Sequence, residues 1–250
     1  MDEFFRVRYS FVRRLQLSAV KNHEDNLEGH SPGKLLKQLS KLVNEQQQLS
    51  QKIYEHLREE LAKESIEIIS EQELTQKQAQ FVRDVYRNQV SPALTNLMLS
   101  QAPEFPYLRD KGIYLAVRLM KGDSEQFSII EVPSGAMNRF IALPKYGKQY
   151  IMYLDDVLRY NLSSIFHIFN YDSIEAHTVK ITRDAELTLD DAVSKPFLEK
   201  VQKGLSERRE GAPVRFVYDR NISEVILNLL VDGLGISEFD GLIAGGRYRN

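Results

Sequence analysis

QAPEFP (101–106) carries two prolines within four residues, and the hydrophobic pattern differs on its two sides. Prolines this close remove two backbone donors and restrict the residues before them, so neither a helix nor a central strand runs through the segment. Upstream, apolar residues return at three-, four- and seven-residue intervals, the mark of amphipathic helices. Downstream, β-branched and aromatic blocks alternate with turn residues, the mark of strands. The segment is therefore expected to divide a helical domain, 1–104, from a mixed domain, 105–250.

Toward the N-terminus, MDEFFRVRYSFVRRLQ (1–16) sets Phe4, Phe11 and Leu15 on one stripe with Phe5 and Val12 beside them. Arg6 and Arg13 share another face. A helix normally opens with a Ser, Thr, Asp or Asn cap, and here only Asp2, with Met1 before it, can serve. Either this helix is the first element or an upstream segment has been removed. After the polar stretch KNHEDNLEGHSPG (21–33), Ser31-Pro32 is a helix start. Leu35, Leu36, Leu39, Leu42, Val43, Leu49, Ile53, Leu57 and Leu61 then hold a helical period over about seven turns. Its Gln-rich part, NEQQQLSQ (44–51), reads as the solvated face of a bundle helix in preference to a coiled-coil seam. IEII (66–69) is a short apolar piece, and Thr75 opens a helix through Phe81, Val82, Val85 and Tyr86 up to Ser91-Pro92. An antiparallel helical bundle is expected.

Toward the C-terminus, IYLAVRLM (113–120), FSIIEVP (127–133), QYIMYL (149–154), AHTVKITRDAE (176–186) and PVRFVYD (213–219) are strand candidates. DDVLRYNLSSIF (155–166), SKPFLEKVQKGLSERR (194–209) and ISEVILNLLVDGLG (222–235) are helix candidates, the last stopping at glycine. The mixture predicts an α+β chain: an all-α bundle followed by a two-layer α/β domain. No internal repeat is present.

Composition narrows the chemistry. The 42% hydrophobic and 27% charged content is that of a globular protein, and no apolar run approaches the ~18 residues of a membrane span. The N-terminal residues lack a signal-peptide hydrophobic block, so a cytoplasmic location is expected. With no cysteine, the chain has no disulfide, thiolate metal site or thiol catalysis. A net charge of −2 provides no overall field for nucleic acid, and no repeated aromatic-plus-basic pattern points to one. Any anion site must be a local cluster.

GxSxG, GxxxxGK[ST] and HExxH are absent. His23 and His30 lie in the polar stretch without fixed acidic partners, His56 on a charged helix face, and His167 and His177 in aromatic, strand-rich surroundings where a structural role is expected. No catalytic residue and no metal ligand is assigned. The acidic pairs Glu59-Glu60, Asp155-Asp156 and Asp190-Asp191 diverge by about 100° on a helix, so neither member of a pair shares a ligand with the other; helix-start charge accounts for the last two. Arginine is more suggestive, because a guanidinium group suits phosphate or carboxylate. For Arg183 and Arg215, in strand candidates, pairing with acids such as Asp184, Glu186 or Asp219 is the simpler expectation.

Seven strings, DEFFRVR (2–8), YLAVRL (114–119), EVPS (131–134), RFIALP (139–144), ITRDAE (181–186), PVRFVYDRN (213–221) and GGRYRN (245–250), occur in the order found in polyphosphate kinases of the phosphohistidine type, which the chain resembles from its first residues to its last. The resemblance implies a helical N-terminal domain and an α/β middle, or head, domain. It also implies phospholipase D-like domains beyond the GGRY segment, where a histidine takes the γ-phosphate of Mg-ATP and passes it to inorganic polyphosphate. Neither catalytic histidine has a counterpart in this chain. The family pattern Asn-Leu-Asp-Glu-Phe, whose Asn contacts adenine, is entered here at Met1 in the Leu position, so the resemblance also implies helices upstream. Nearness to that Asn makes Arg6, Arg8 and Arg13 candidate contacts for nucleotide or polyphosphate. ATP, Mg²⁺ and polyphosphate are the implied ligands, and a homo-oligomer formed through the head domain is the implied assembly. The alternative is a non-enzymatic fragment that binds a polyanion or dimerises, with Phe4 and Phe11 left exposed.

Overall fold

A π-helical turn, Phe4–Tyr9, runs directly into α1 (Ser10–Asn22) in the computed structural model of the chain, which describes residues 1–22, 31–99, 104–185, 211–237 and 240–247. The helix expected over 194–209 lies outside the described residues, as do His23, His30 and the pair at 190–191. The long helix forms as its period predicts: α2 (Pro32–Lys63) begins with proline in its first turn. It runs antiparallel to the N-terminal helix, with Tyr9 Oη 3.3 Å from Ser40 Oγ and Gln16 against Gly33. The short apolar piece IEII supplies β1 (Ile66–Ile68). α3 (Gln76–Val85) follows a capping box in which Thr75 accepts the Gln78 amide and the Gln78 side chain accepts the Thr75 amide.

β2 (Thr95–Met98), β3 (Ile113–Lys121) and β4 (Ser124–Glu131) open the main sheet, followed by β5 (Phe140–Ala142) and β6 (Gln149–Tyr153) of a smaller one. α4 (Leu154–Tyr160) and α5 (Leu162–Ile165) lead to β7 (Ser173–Arg183), β8 (Pro213–Asp219), α6 (Glu224–Leu234) and β9 (Gly241–Gly245). α6 stops at Gly235, whose φ of +64° is the left-handed conformation open to glycine. The six-stranded sheet has the order β2-β4-β3-β7-β8-β9, antiparallel except for the last pair. In the three-stranded sheet β1 lies parallel to β6 and β5 antiparallel to it, so a strand from the first seventy residues pairs with one from the middle of the chain.

β3 is buried on both faces, which is why IYLAVRLM is a nearly continuous apolar run. Leu115, Val117 and Leu119 pack with Leu154, Val157 and Leu158 of α4 and with Val82 and Val85 of α3. Tyr114 and Ala116 face Ile226 and Leu230 of α6. The sheet thus carries helices on both sides. Residues on either side of the 104/105 division share the first of these clusters, because the apolar side of α3 turns to the sheet and not to α2. The N-terminal hairpin makes its own contact: Phe5, Tyr9, Leu36 and Val43 bury against Val214, Val217 and Ile243 of β8 and β9. Where a third bundle helix was expected, the sheet takes its place.

Phe5 sits where β9 has no side chain. A Cβ on Gly241 would come within 2.6 Å of the Phe5 ring. Gly241→Ala is therefore expected to push the N-terminal helix off the sheet at a cost of about 1–3 kcal/mol. Chemical denaturation of that variant with an unchanged midpoint would show that Phe5 is not seated there.

Candidate functional site

Asp2 was the expected cap of the first helix; instead its carboxylate reaches across to the sheet. Oδ1 accepts from Arg215 Nη1 at 2.7 Å and Oδ2 from Lys180 Nζ at 2.8 Å. No side chain caps the helix start. β7 and β8 set this geometry, because Lys180, Thr182, Arg215 and Val217 all point from the sheet face that the N-terminal helix covers. Arg215 is 1% exposed, and its guanidinium stands 5.1 Å from the Phe5 ring centroid. Burial raises the Asp2 pKa, but the Lys180 hydrogen bond and the charges of Lys180 and Arg215 outweigh it, holding the carboxyl below its ordinary value.

The candidate arginines separate along the same helix. Arg6 Nε lies 3.0 Å from Asp110, and Nη1 lies 3.4 Å from Glu3. Arg13, with a side chain only 10% exposed, pairs with Asp240, and Arg14 pairs with Asp184. Asp240 is itself held by the Ser237 amide and hydroxyl at 2.7 and 2.9 Å. Arg6 and Arg13, expected to share a face, thus address different loops. Arg8 is exposed and makes no ion pair among the described residues.

A second charged network lies over β7. Arg159 of α4 donates to Asp156 at 2.7 Å and to Thr178 Oγ1 at 2.5 Å, and Arg139 reaches Asp155 at 3.2 Å. The Asp155-Asp156 pair does open a helix, as expected, but both carboxylates are wholly buried and each has its own arginine. Arg247 joins Asp156, at 3.2 Å, to Glu71. Burial raises the Glu71 pKa, yet Arg247 more than offsets it and the carboxyl ends below its usual value. His177 stands between Asp219 and Glu175, 3.5 Å from each. His167 is exposed, with Nδ1 2.9 Å from the Ser164 carbonyl, and His56 is exposed near Glu59. Arg183 donates to the Leu108 and Gly211 carbonyls and lies over the Tyr107 ring; Arg215 finds Asp2 and not Asp219. Asp184 takes Arg14. Among the described residues no group of three or more His, Asp or Glu side chains gathers as metal ligands.

The cross-chain partners Arg14–Asp184, Arg13–Asp240 and Arg247–Glu71 escaped sequence reasoning, because no local spacing links residues about 170 or more positions apart. The quoted strings carried the signal: DEFF, ITRDAE, PVRFVYD and GGRY supply Asp2, Asp184, Arg215 and Arg247, all meeting on one side of the sheet. Residues 1–69 match the family model for the polyphosphate kinase N-terminal domain, and residues 77–250 the model for its middle domain. The chain belongs to the polyphosphate kinase family. It is 34% identical over 256 residues to a polyphosphate kinase of Vibrio parahaemolyticus and 31% identical over 255 residues to that of Escherichia coli K12. The whole chain is covered in both cases, yet it spans only 36% of the length of either relative. In fold it resembles the crystal structure of polyphosphate kinase from Porphyromonas gingivalis, with a TM-score of 0.75 and 21% identity over 99% of this chain and 33% of that one. Among the described residues no helix is long and apolar enough to cross a membrane.

The Asp2 contact has a pH signature. A carboxyl with a lowered folded-state pKa contributes stability above its unfolded value, about 4, and loses it as pH falls through the folded value. Asp2→Asn is expected to cost about 1–3 kcal/mol at pH 7, less than the ~3–5 of a fully buried pair because Asp2 is partly solvated. The difference from the parent should shrink below pH ~4. Urea midpoints of both proteins measured across pH test this, and a gap constant with pH would refute it.

Proposed function

We propose that the chain forms the N-terminal and head portion of an ATP:polyphosphate phosphotransferase whose phosphohistidine is carried by C-terminal domains outside these residues. The observation that carries this reading is the consecutive match to both family domains along the whole chain, at about a third of the relatives' length. A histidine intermediate splits one difficult transfer into two in-line steps, and the protein's task becomes positioning and charge stabilisation. The histidines described here do not suit that role. His177 is enclosed by two carboxylates, and His56 and His167 stand exposed with local partners.

Within this reading Arg8 is the phosphate contact, since it offers an exposed guanidinium without an ion pair among the described residues, on the helix that follows the family's adenine-binding position. Arg6 joins it at the cost of its pair with Asp110, and Arg13 positions the helix through Asp240. Mg²⁺ enters on the ATP phosphates with its own waters, which needs no protein cage. The complete protein works in the cytoplasm and assembles through the head domain.

A second reading, an accessory module that associates with itself, is favoured by one observation. Leu35, Leu42, Leu49, Ile53 and Leu57 of α2 are all more than 40% exposed, and Phe11 is 54% exposed, although Phe4 packs on Phe5. Sedimentation of the chain at rising concentration is expected to show association; a monomer throughout removes this reading.

The enzymatic reading is tested by polymer formation from Mg-ATP, comparing this chain with one extended through the remaining family domains. Only the extended protein should form polyphosphate, and Arg8→Ala in it should raise the KM for ATP about tenfold, near 1.4 kcal/mol, with an unchanged Tm. Polymer made by the short chain would place the chemistry at His167 or His177 instead.

A further inference from the structure

The first half of α2, beside the N-terminal helix, borders an open groove of about 830 Å³. Lys34, Lys37 and Lys41 line it three and four residues apart, so their ammonium groups form a row along about 10 Å of helix axis. None of them makes an ion pair among the described residues, whereas Arg6, Arg13, Arg14, Arg215 and Arg247 are all engaged with carboxylates. Among the described lining residues the one acid, Glu45, stands a turn beyond Lys41. Ser40 and Asn44 add neutral donors between them.

This row runs against local preference. The first turn of α2 has no acidic residue and contains Lys34, although the helix dipole favours negative charge at that end. Like charges one turn apart also repel. Choices that disfavour the helix without a compensating contact among the described residues point to something bound there.

We infer that the groove binds a linear inorganic oligophosphate along the axis of α2, with Lys34, Lys37 and Lys41 on its oxygens and Ser40 and Asn44 donating hydrogen bonds. The inference rests on the polyphosphate kinase reading above and adds to it a polymer contact distinct from Arg8. Lysine suits a repeating chain, because an ammonium acts as a point charge without the fixed fork of arginine, so the polymer can shift along the row. A nucleotide or single-stranded nucleic acid needs a platform for its bases. The aromatic residue of the lining, Tyr9, is 1% exposed and turns its hydroxyl to Ser40, so it presents no face for stacking.

The test uses the 250-residue chain and end-labelled polyphosphate of defined length, with Kd measured at several salt concentrations. The variant Lys34→Gln/Lys37→Gln/Lys41→Gln is compared with Lys111→Gln/Lys121→Gln/Lys145→Gln, which removes the same charge from exposed positions elsewhere. The groove variant should bind at least tenfold more weakly, and its slope of log K against log salt should fall by about two, at roughly 0.7 per neutralised charge. The control variant should change less than twofold, and both should keep the parent Tm. Equal losses in the two variants, no loss in the groove variant, or tighter binding of a single-stranded oligonucleotide of equal charge would overturn the inference. The domain-complete enzyme separates the two readings. If it makes no polymer from Mg-ATP, the enzymatic reading fails whatever the groove binds; if it makes polymer while the groove substitutions leave polyphosphate binding intact, the groove alone is overturned.

Discussion

An arginine with 1% exposure in the middle of a sheet cannot stand alone. Arg215 projects from β8 toward a covering layer, and its charge has to meet a carboxylate there or unfold the strand that carries it. The partner, Asp2, comes from the other end of the chain. Apolar burial of Phe5 and Tyr9 supplies most of the energy that holds the helix, about 1.5–3 kcal/mol for a side chain of this size. Burial is not directional, however, and would tolerate several placements. The ion pair selects one of them, with Phe5 over the Arg215 guanidinium and in the space left by Gly241.

Once Asp2 is fixed, the later turns of the same helix have defined neighbours. Arg6 meets Asp110 in the segment before β3, Arg13 meets Asp240 before β9, and Arg14 meets Asp184 at the end of β7. Three loops distant in sequence are thereby drawn to one helix. The network at Arg247 does the same on the neighbouring part of the sheet, joining the segment before α3 to the first turn of α4. These ties consume the arginines that face the sheet, whereas Arg8 and the α2 lysines make no ion pair among the described residues and, in the case of the lysines, stand together along one groove.

Helices and strands with a long, regular period were legible in the sequence. α2, β3 and β8 lie close to where their patterns place them, and Gly235 ends α6 as read. Of the short strands, only β6 was legible. β1, β2, β5 and β9 have three to five residues each, too few for alternation to show, and they exist because a partner strand is present. The prolines near residue 104 mark a change in local structure, whereas packing follows another line: α3, helical by pattern, is in the core of the sheet domain. Of the three arginines singled out, periodicity placed all on the first helix but carried nothing about Asp110 or Asp240, whose approach depends on the tertiary fold.

The strings that carry the family resemblance are the strings of this scaffold. Asp2, Asp184, Arg215, Asp219 and Arg247 all lie in them, and each is engaged within the chain. Paired in this way, such residues hold the architecture of this chain together. A buried, paired charge is unavailable to a ligand, because freeing it leaves its partner uncompensated in a low-dielectric site. Recognition of the family from these strings therefore identifies the frame more than the contacts. Groups able to meet a polyanion must be sought among charges the frame does not use, and Lys34, Lys37 and Lys41 lie outside every one of the strings.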